Sequence, residues 1–282
     1  MPKHLTKTRS TMPTTLYLSD RLPIDHPAVY AQIVAACEQF GQPHDLVPGT
    51  RDIWVRDFMP IPLPDGQLLE YRYDPDYLQG ATAGKRGEKS YPDLICDAMG
   101  LKTVKTDLII DGGNVIRRSN TLIMADKVVY ENRIHYGKKA LKAKLMEDFQ
   151  VEKLVFIGWD EDYDLYGHAD SMVRFIDNDS VLVNYYYKDD QSILIPLEKA
   201  GLNVGFLDLP GINPEQDHYW PYLNFLQTEN MLLYTRIEPR YDAEVLEQLE
   251  RYFPAYRGRM LAIEMPEVTE EHGALNCISW VY

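Results

Sequence analysis

The sequence predicts an α/β fold made of about five repeated units arranged around an axis. Three features predict it. A helix, a short apolar strand and a pair of strands around a polar turn recur at a period near 55 residues. Uncommon polar residues stand at the same place in each unit, at the start of its strand pair. The composition, 45% hydrophobic and 26% charged, is that of a globular chain and excludes disordered, collagenous and fibrous classes.

Apolar spacing and flanking caps place helices at about His26–Phe40, Tyr91–Met99, Tyr136–Phe149, Gln191–Ala200 and Ala243–Phe253. Gly100 and Gly201 sit where helix C-caps belong, and Asp242 where an N-cap belongs. Four of these helices lead to short apolar strands near Val104–Ile110, Lys153–Ile157, Val204–Leu209 and Met260–Met265. Strand pairs then turn at Arg117–Asn120, Asp177–Ser180 and Gln227–Asn230. In the first unit Ile53–Leu63 and Leu68–Tyr73 pair around Pro64-Asp65-Gly66. The last unit is cut short at Tyr282, and a lone strand at Thr15–Leu18 can complete it from the other end of the chain. An ordinary α/β sheet with coincidental spacing is the alternative.

No apolar run approaches the roughly 18 residues of a membrane helix, and Met1–Pro13 lacks the apolar stretch of a signal peptide. Cys37, Cys96 and Cys277 are widely spaced, with no CxxC pair for zinc or redox work. No linker divides the chain. The expectation is a single cytoplasmic domain over 1–282 with a flexible stretch at 1–13, able to form a homo-oligomer. Forty-three acidic against 29 basic residues give a formal charge of −14. That balance disfavours nucleic acid, whose phosphates need a basic surface, and permits a cationic ligand; solubility alone also accounts for it.

The polar residues at the strand-pair starts are Asp57 in Trp54-Val55-Arg56-Asp57, Asp111-Gly112-Gly113-Asn114, His168 and Asp170 in Gly167-His168-Ala169-Asp170, Asn224, and Cys277. Asp57, Gly112, His168, Asn224 and Cys277 follow one another at intervals of 55, 56, 56 and 53 residues. In a ring of repeats, equivalent positions face a common centre, so one thiol, one imidazole and at least two carboxylates meet there. Each signal alone has a plainer reading: Cys277 as a small buried apolar residue, His168 as a hydrogen-bonded structural histidine, Arg56-Asp57 as a buried ion pair, Asp111-Gly112-Gly113 as a tight turn. The glycine pair points to close backbone approach or positive φ.

Such a set has a definite chemistry. Two carboxylates facing one pocket repel unless a cation lies between them, and a planar guanidinium matches carboxylates through paired N–H···O bonds. Held so, its carbon is presented to the thiolate, while His168 protonates departing ammonia and then activates water. No metal or cofactor is needed.

The Trp-x-Arg-Asp, Asp-Gly-Gly-Asn, Gly-His-x-Asp, Tyr-x-Asn-Phe and terminal Asn-Cys segments resemble the agmatine deiminase and bacterial peptidylarginine deiminase family, from about Trp54 onward. The resemblance implies a pentein-type, pseudo-fivefold α/β-propeller. It implies a hydrolase that converts a guanidino group to a ureido group: agmatine to N-carbamoylputrescine, as in putrescine biosynthesis, or arginyl groups to citrulline. It implies Cys277 as nucleophile, His168 as general acid/base and Asp57 and Asp170 as guanidinium clamps, with Trp54, Arg56, Asn114 and Asn224 along the substrate site. Asp111 is given a role in shaping it. This chain departs from the family in Asn276, where His usually precedes the nucleophile, and in Asp57-Phe58-Met59-Pro60, where Gly-Pro or Ala-Pro is usual. An amidinotransferase or a non-catalytic guanidinium-binding module are the rival readings. An α-carboxylate on the substrate would need a positive partner, for which Arg56, Arg118 and Arg174 are available.

Three further segments are read without site roles or with a minor one. Gly80–Arg86 lacks P-loop spacing, and Gln79–Ser90 is a basic loop that can serve as a lid. Asp160–Asp164 lacks the glycine of a calcium loop, and Tyr185–Tyr187 reads as a strand end.

Overall fold

The computed structural model describes residues 14–79, 85–159, 165–209 and 219–282. The stretch 1–13, the acidic run 160–164 and most of the glycine-rich segment at 80–84 lie outside the described residues.

Fifteen strands form five three-stranded sheets among the described residues. They are β1 (Leu16–Ser19), β2 (His44–Val47), β3 (Ile61–Pro62), β4 (Leu68–Arg72), β5 (Thr103–Ile109), β6 (Ile116–Arg118), β7 (Thr121–Ala125) and β8 (Lys153–Ile157). The rest are β9 (Val173–Phe175), β10 (Ser180–Asn184), β11 (Asn203–Leu207), β12 (Leu226–Gln227), β13 (Leu232–Arg236), β14 (Met260–Glu264) and β15 (Ser279–Val281). The sheets are β3-β4-β5, β6-β7-β8, β9-β10-β11, β12-β13-β14 and β15-β1-β2. Each pairs its first two strands antiparallel and adds the third parallel. The fifth keeps this pattern although its strands come from both chain ends: Tyr17 faces Trp280 antiparallel and Leu16 faces His44 parallel. This is a pseudo-fivefold α/β-propeller of pentein type.

A parallel third strand requires a crossover, and in each unit a helix supplies it. The helices are α1 (Pro27–Phe40), α2 (Pro92–Ala98), α3 (Lys138–Asp148), α4 (Gln191–Lys199) and α5 (Pro239–Tyr252). Each buries a narrow stripe, such as Leu141 and Leu145 of α3 or Ile193 and Leu197 of α4, one turn apart. Pro27, Pro92 and Pro239 start three of them with φ already helical. Gly41, Gly100 and Gly201 follow with φ of +64°, +66° and +78°; that left-handed conformation ends a helix without a Cβ clash. The helices also join neighbouring units. The Gln32 amide of α1 donates to Glu264 O at 2.9 Å and accepts its N–H at 3.0 Å, fixing α1 along β14. The core is a set of buried clusters, each drawing side chains from a sheet and its flanking helices.

Three local expectations are corrected. Ile53–Leu63 is strand only at Ile61-Pro62; Val55–Phe58 is a helical turn. Pro60 and Pro62 have no N–H to offer a ladder, and the turn is closed by Met59 N–H donating to Val55 O. Asp242 is not an N-cap. Pro239 starts α5 earlier, and Asp242 instead receives the Tyr222 hydroxyl at 2.9 Å and the Ile237 N–H at 3.2 Å. Tyr185–Tyr187 is a 3₁₀ turn after β10, closed by Tyr186 N–H donating to the Asn184 side chain.

Candidate active site

The strand-pair starts are tight turns that bring their side chains to the axis. Asp57 is the third residue of the Val55–Phe58 turn, Asp111 precedes the 3₁₀ turn Gly112–Asn114, and His168 precedes the 3₁₀ turn Ala169–Ser171. Cys277 lies in the turn that feeds β15, closed by Ser279 N–H donating to Asn276 O at 3.1 Å. The two glycines of Asp111-Gly112-Gly113-Asn114 are there for proximity. A Cβ on Gly112 would stand 1.9 Å from the Arg56 carbonyl oxygen, and one on Gly113 would stand 2.5 Å from His168 Nδ1. Gly273 likewise makes room for the Trp54 ring.

The imidazole is held by acids. His168 Nε2 lies 2.9 Å from Asp111 Oδ2, and Nδ1 lies 3.9 Å from Asp57 Oδ1. Tyr77 donates a short hydrogen bond to the same Asp111 oxygen. Burial opposes the charge on His168, but Asp111 and Asp57 outweigh it and hold its pKa well above the usual histidine value. Asp111 is raised by burial and pulled back further by His168, so it stays below the ordinary carboxylate value. Burial and the facing Asp111 push Asp57 well above it.

The sulfur is held from beneath. Asn224, fully buried, accepts the Asn276 N–H at 3.1 Å, the Cys277 N–H at 3.3 Å and the thiol at 3.3 Å on its one amide oxygen. The Cys277 sulfur stands 3.8 Å from Asp170 Oδ2 and is hydrogen-bonded to His168. Asn276 donates to the same Asp170 oxygen at 2.6 Å. Burial and Asp170 push the thiol up to about 12 against the pull of His168. His168 alone does not offset them, so this cysteine stays a thiol at neutral pH until a second cation lies beside the sulfur.

Above these groups is a cavity of about 90 Å³, lined by Trp54, Asp57, His168, Gly273 and Cys277 together with Asp52, Glu88 and Glu271. Asp57 Oδ1 and Asp170 Oδ1 are buried without a hydrogen-bond partner among the described residues. Unpartnered buried carboxylate oxygens call for a donor from a ligand. A guanidinium supplies five. Asp57, Asp111 and His168 offer donor atoms within 4.8 Å of one another, a grouping that could also hold a metal ion. The Asp111–His168 contact already occupies one side of that trio.

A family profile for Porphyromonas-type peptidyl-arginine deiminase matches residues 28–282. The chain belongs to this family. Among solved structures, this deiminase is similar to the agmatine deiminase of C. jejuni, with 18% identity and a TM-score of 0.73, covering 95% of this chain and 92% of that one. The agmatine deiminase of Enterococcus faecalis gives 17% identity and a TM-score of 0.72, covering 95% and 93%. DDAH from Pseudomonas aeruginosa gives 11% and 0.59, covering 96% and 100%. These likenesses show the shared fold. No curated protein sequence gives a significant match.

Of the sequence-derived site residues, the deiminase fold gathers Asp57, His168, Asp170 and Cys277 around one point and sets Trp54 on the cavity wall. Three others stand elsewhere. Asn114 spends its amide on both backbone groups of Ala125, at 3.1 and 2.6 Å. Asn224 braces the nucleophile turn. Arg56 lies below it, its N–H donating to Cys277 O at 3.0 Å and its Nε to Asn276 O at 3.3 Å. None of the three lines the cavity. Two contacts go beyond the sequence reading: Asp111 touches His168 directly, and Asn276 is the partner of Asp170. The first was signalled by Asp111 opening its unit's motif as Asp57 closes that of the first. The second has no signal, because it joins the third unit to the last. Of the basic loop, Lys85–Glu88 is a helical turn, Lys89 pairs with Asp74 at 2.7 Å, and Glu88 reaches the cavity wall.

Proposed function

We propose that Cys277 is the nucleophile of a single-domain guanidine deiminase, with His168 as acid and base and Asp57 and Asp170 as the clamp. A guanidinium seated between the unpartnered oxygens of Asp57 and Asp170 puts a permanent cation beside the sulfur. That offsets the acid field and burial that hold the proton on the thiol. As the guanidinium binds, the thiol gives up its proton to solvent, since His168 is already charged; the thiolate then attacks the guanidino carbon, and a tetrahedral adduct forms. Ammonia leaves as the C–N bond breaks, taking the proton of His168, which is kept charged by Asp111. The resulting amidino-thioether is attacked by water, whose proton returns to His168. Collapse of the second adduct expels the thiolate and releases the ureido product. Asp111, Asn114, Asn224 and Asn276 act as positioning residues.

The acidic wall favours a substrate with a second positive charge. Asp52, raised to about 7 by burial, Glu88 and Glu271 line the cavity, and no lysine or arginine among the described residues lines it. Arg56, Arg118 and Arg174, offered by the sequence for an α-carboxylate, face a different cavity. Agmatine fits this wall better than free arginine. The observation that carries the reading is the contact of the Cys277 sulfur with both His168 and Asp170, and of His168 with Asp57. Incubation with agmatine, arginine and arginyl peptides, assayed for ammonia and ureido product, tests it. Turnover of agmatine above arginine is expected; folded protein that turns over none of them refutes it.

A further inference from the structure

Beneath the catalytic floor, on the other side of Arg56 and Asn276, lies a second and larger cavity of about 420 Å³. In a chain of net charge −14 it is lined by four arginines, Arg56, Arg117, Arg118 and Arg174, contributed by three successive units. None of the four forms an ion pair with a described residue. The acids whose fields reach them are Asp170 for Arg56 and Arg174, Asp57 for Arg56 and Asp177 for Arg118, with Glu229 exposed on the rim. Asp170 spends its Oδ2 on Asn276 and the thiol. With no ion pair to any of these carboxylates, four guanidiniums gathered on one cavity make it locally positive.

The side chains are aimed rather than spent. Arg174 stacks its guanidinium 4.4 Å over the Phe225 ring, and its buried Nη1 has no hydrogen-bond partner among the described residues. Arg117 uses one Nη2 donor on Pro62 O, and Arg118 uses Nε on Asn178, so each keeps further N–H groups. Burial pulls Arg174 down to about 10, with repulsion from Arg56 adding to it against the attraction of Asp170; it remains charged at neutral pH. The volume falls in the range of small-ligand pockets, and guanidinium forks match oxyanions.

We infer that this cavity is a binding site for a compact oxyanion of two or more charges, a phosphate-bearing or polycarboxylate group, separate from the deiminase pocket. Calorimetric titration of the full chain at low ionic strength, with pyrophosphate and citrate in parallel arms, tests it. Saturable one-to-one binding in either arm is expected, the tighter arm identifying the anion class. Arg174→Gln and Arg117→Gln each weaken it by about tenfold or more, while Lys142→Gln, on the exposed face of α3, leaves it unchanged. Arg118→Gln, nearer the surface, serves if a buried variant melts early. Absence of saturable binding to the wild-type chain, or equal weakening by Lys142→Gln, overturns the inference.

Discussion

Replacing Asp111 by Asn probes the part of the site on which the proton transfers depend. Asp111 Oδ2 lies 2.9 Å from His168 Nε2, and both are largely buried. Asparagine keeps the shape and can still accept a hydrogen bond, but removes the negative charge. A hydrogen bond to a charged partner contributes about 1.5–3 kcal/mol, and one pKa unit corresponds to about 1.4 kcal/mol. The imidazolium pKa is therefore expected to drop by about 1 to 2 units. The readout is the pH profile of kcat, whose basic limb reports the acid in the substrate complex. That limb should move down by about 1 to 2 pH units. Turnover at a pH above the new limb then falls by about 10- to 100-fold, and much less below it. A uniform fall at all pH values with the basic limb in place, in a variant that melts like the wild type, would refute the role given to Asp111.

Other outcomes follow from the same geometry. Cys277→Ser should abolish ammonia release, whereas Cys37→Ser and Cys96→Ser, on α1 and α2 with thiols pushed up to about 12 mainly by burial, should leave kcat near normal. Asn276→Leu removes the 2.6 Å bond to Asp170 and should lower kcat/KM by about tenfold or more, with Asn276→His, the usual family residue, recovering part of the loss; equal loss in both would argue against a role for that bond. Asp57 has its pKa raised in the fold, so its contribution to stability is full below the unfolded value of about 3.9 and is lost as pH rises through the folded value. Asp57→Asn should thus be inactive, yet its thermal midpoint should fall less than that of the wild type as pH is raised from 4 to 8. Parallel curves would show that the acid repulsion is relieved in the empty site.

Much of the fold was legible because its signals are local and repeated. The stripes of α3 and α4, the glycines after α1, α2 and α4, and the polar turns of the later strand pairs each follow from spacing within one unit. The third unit shows the limit of that logic: Gln150, not glycine, takes φ of +54° after α3. Errors arose where proline set the local chemistry. Pro60 and Pro62 kept the Asp57 segment out of a sheet, and Pro239 moved the start of α5 upstream of Asp242. In the site, equal intervals were enough to bring Asp57, His168 and Cys277 together, since the ring maps period onto position. Direction was not encoded in the interval. Arg56 adjoins Asp57 in sequence, yet their side chains serve opposite ends of the axis, because the helical turn splays neighbouring residues apart.

The pairing of β15 with β1 has a consequence for when this protein becomes reactive. Cys277 lies in the turn leading directly into β15, and β15 is anchored by a strand from the opposite end of the chain. During synthesis the carboxylates and the histidine emerge well before the sulfur that they are to serve. A ribosome-bound chain stalled before Cys277 lacks both the sulfur and the strand that clasps β1.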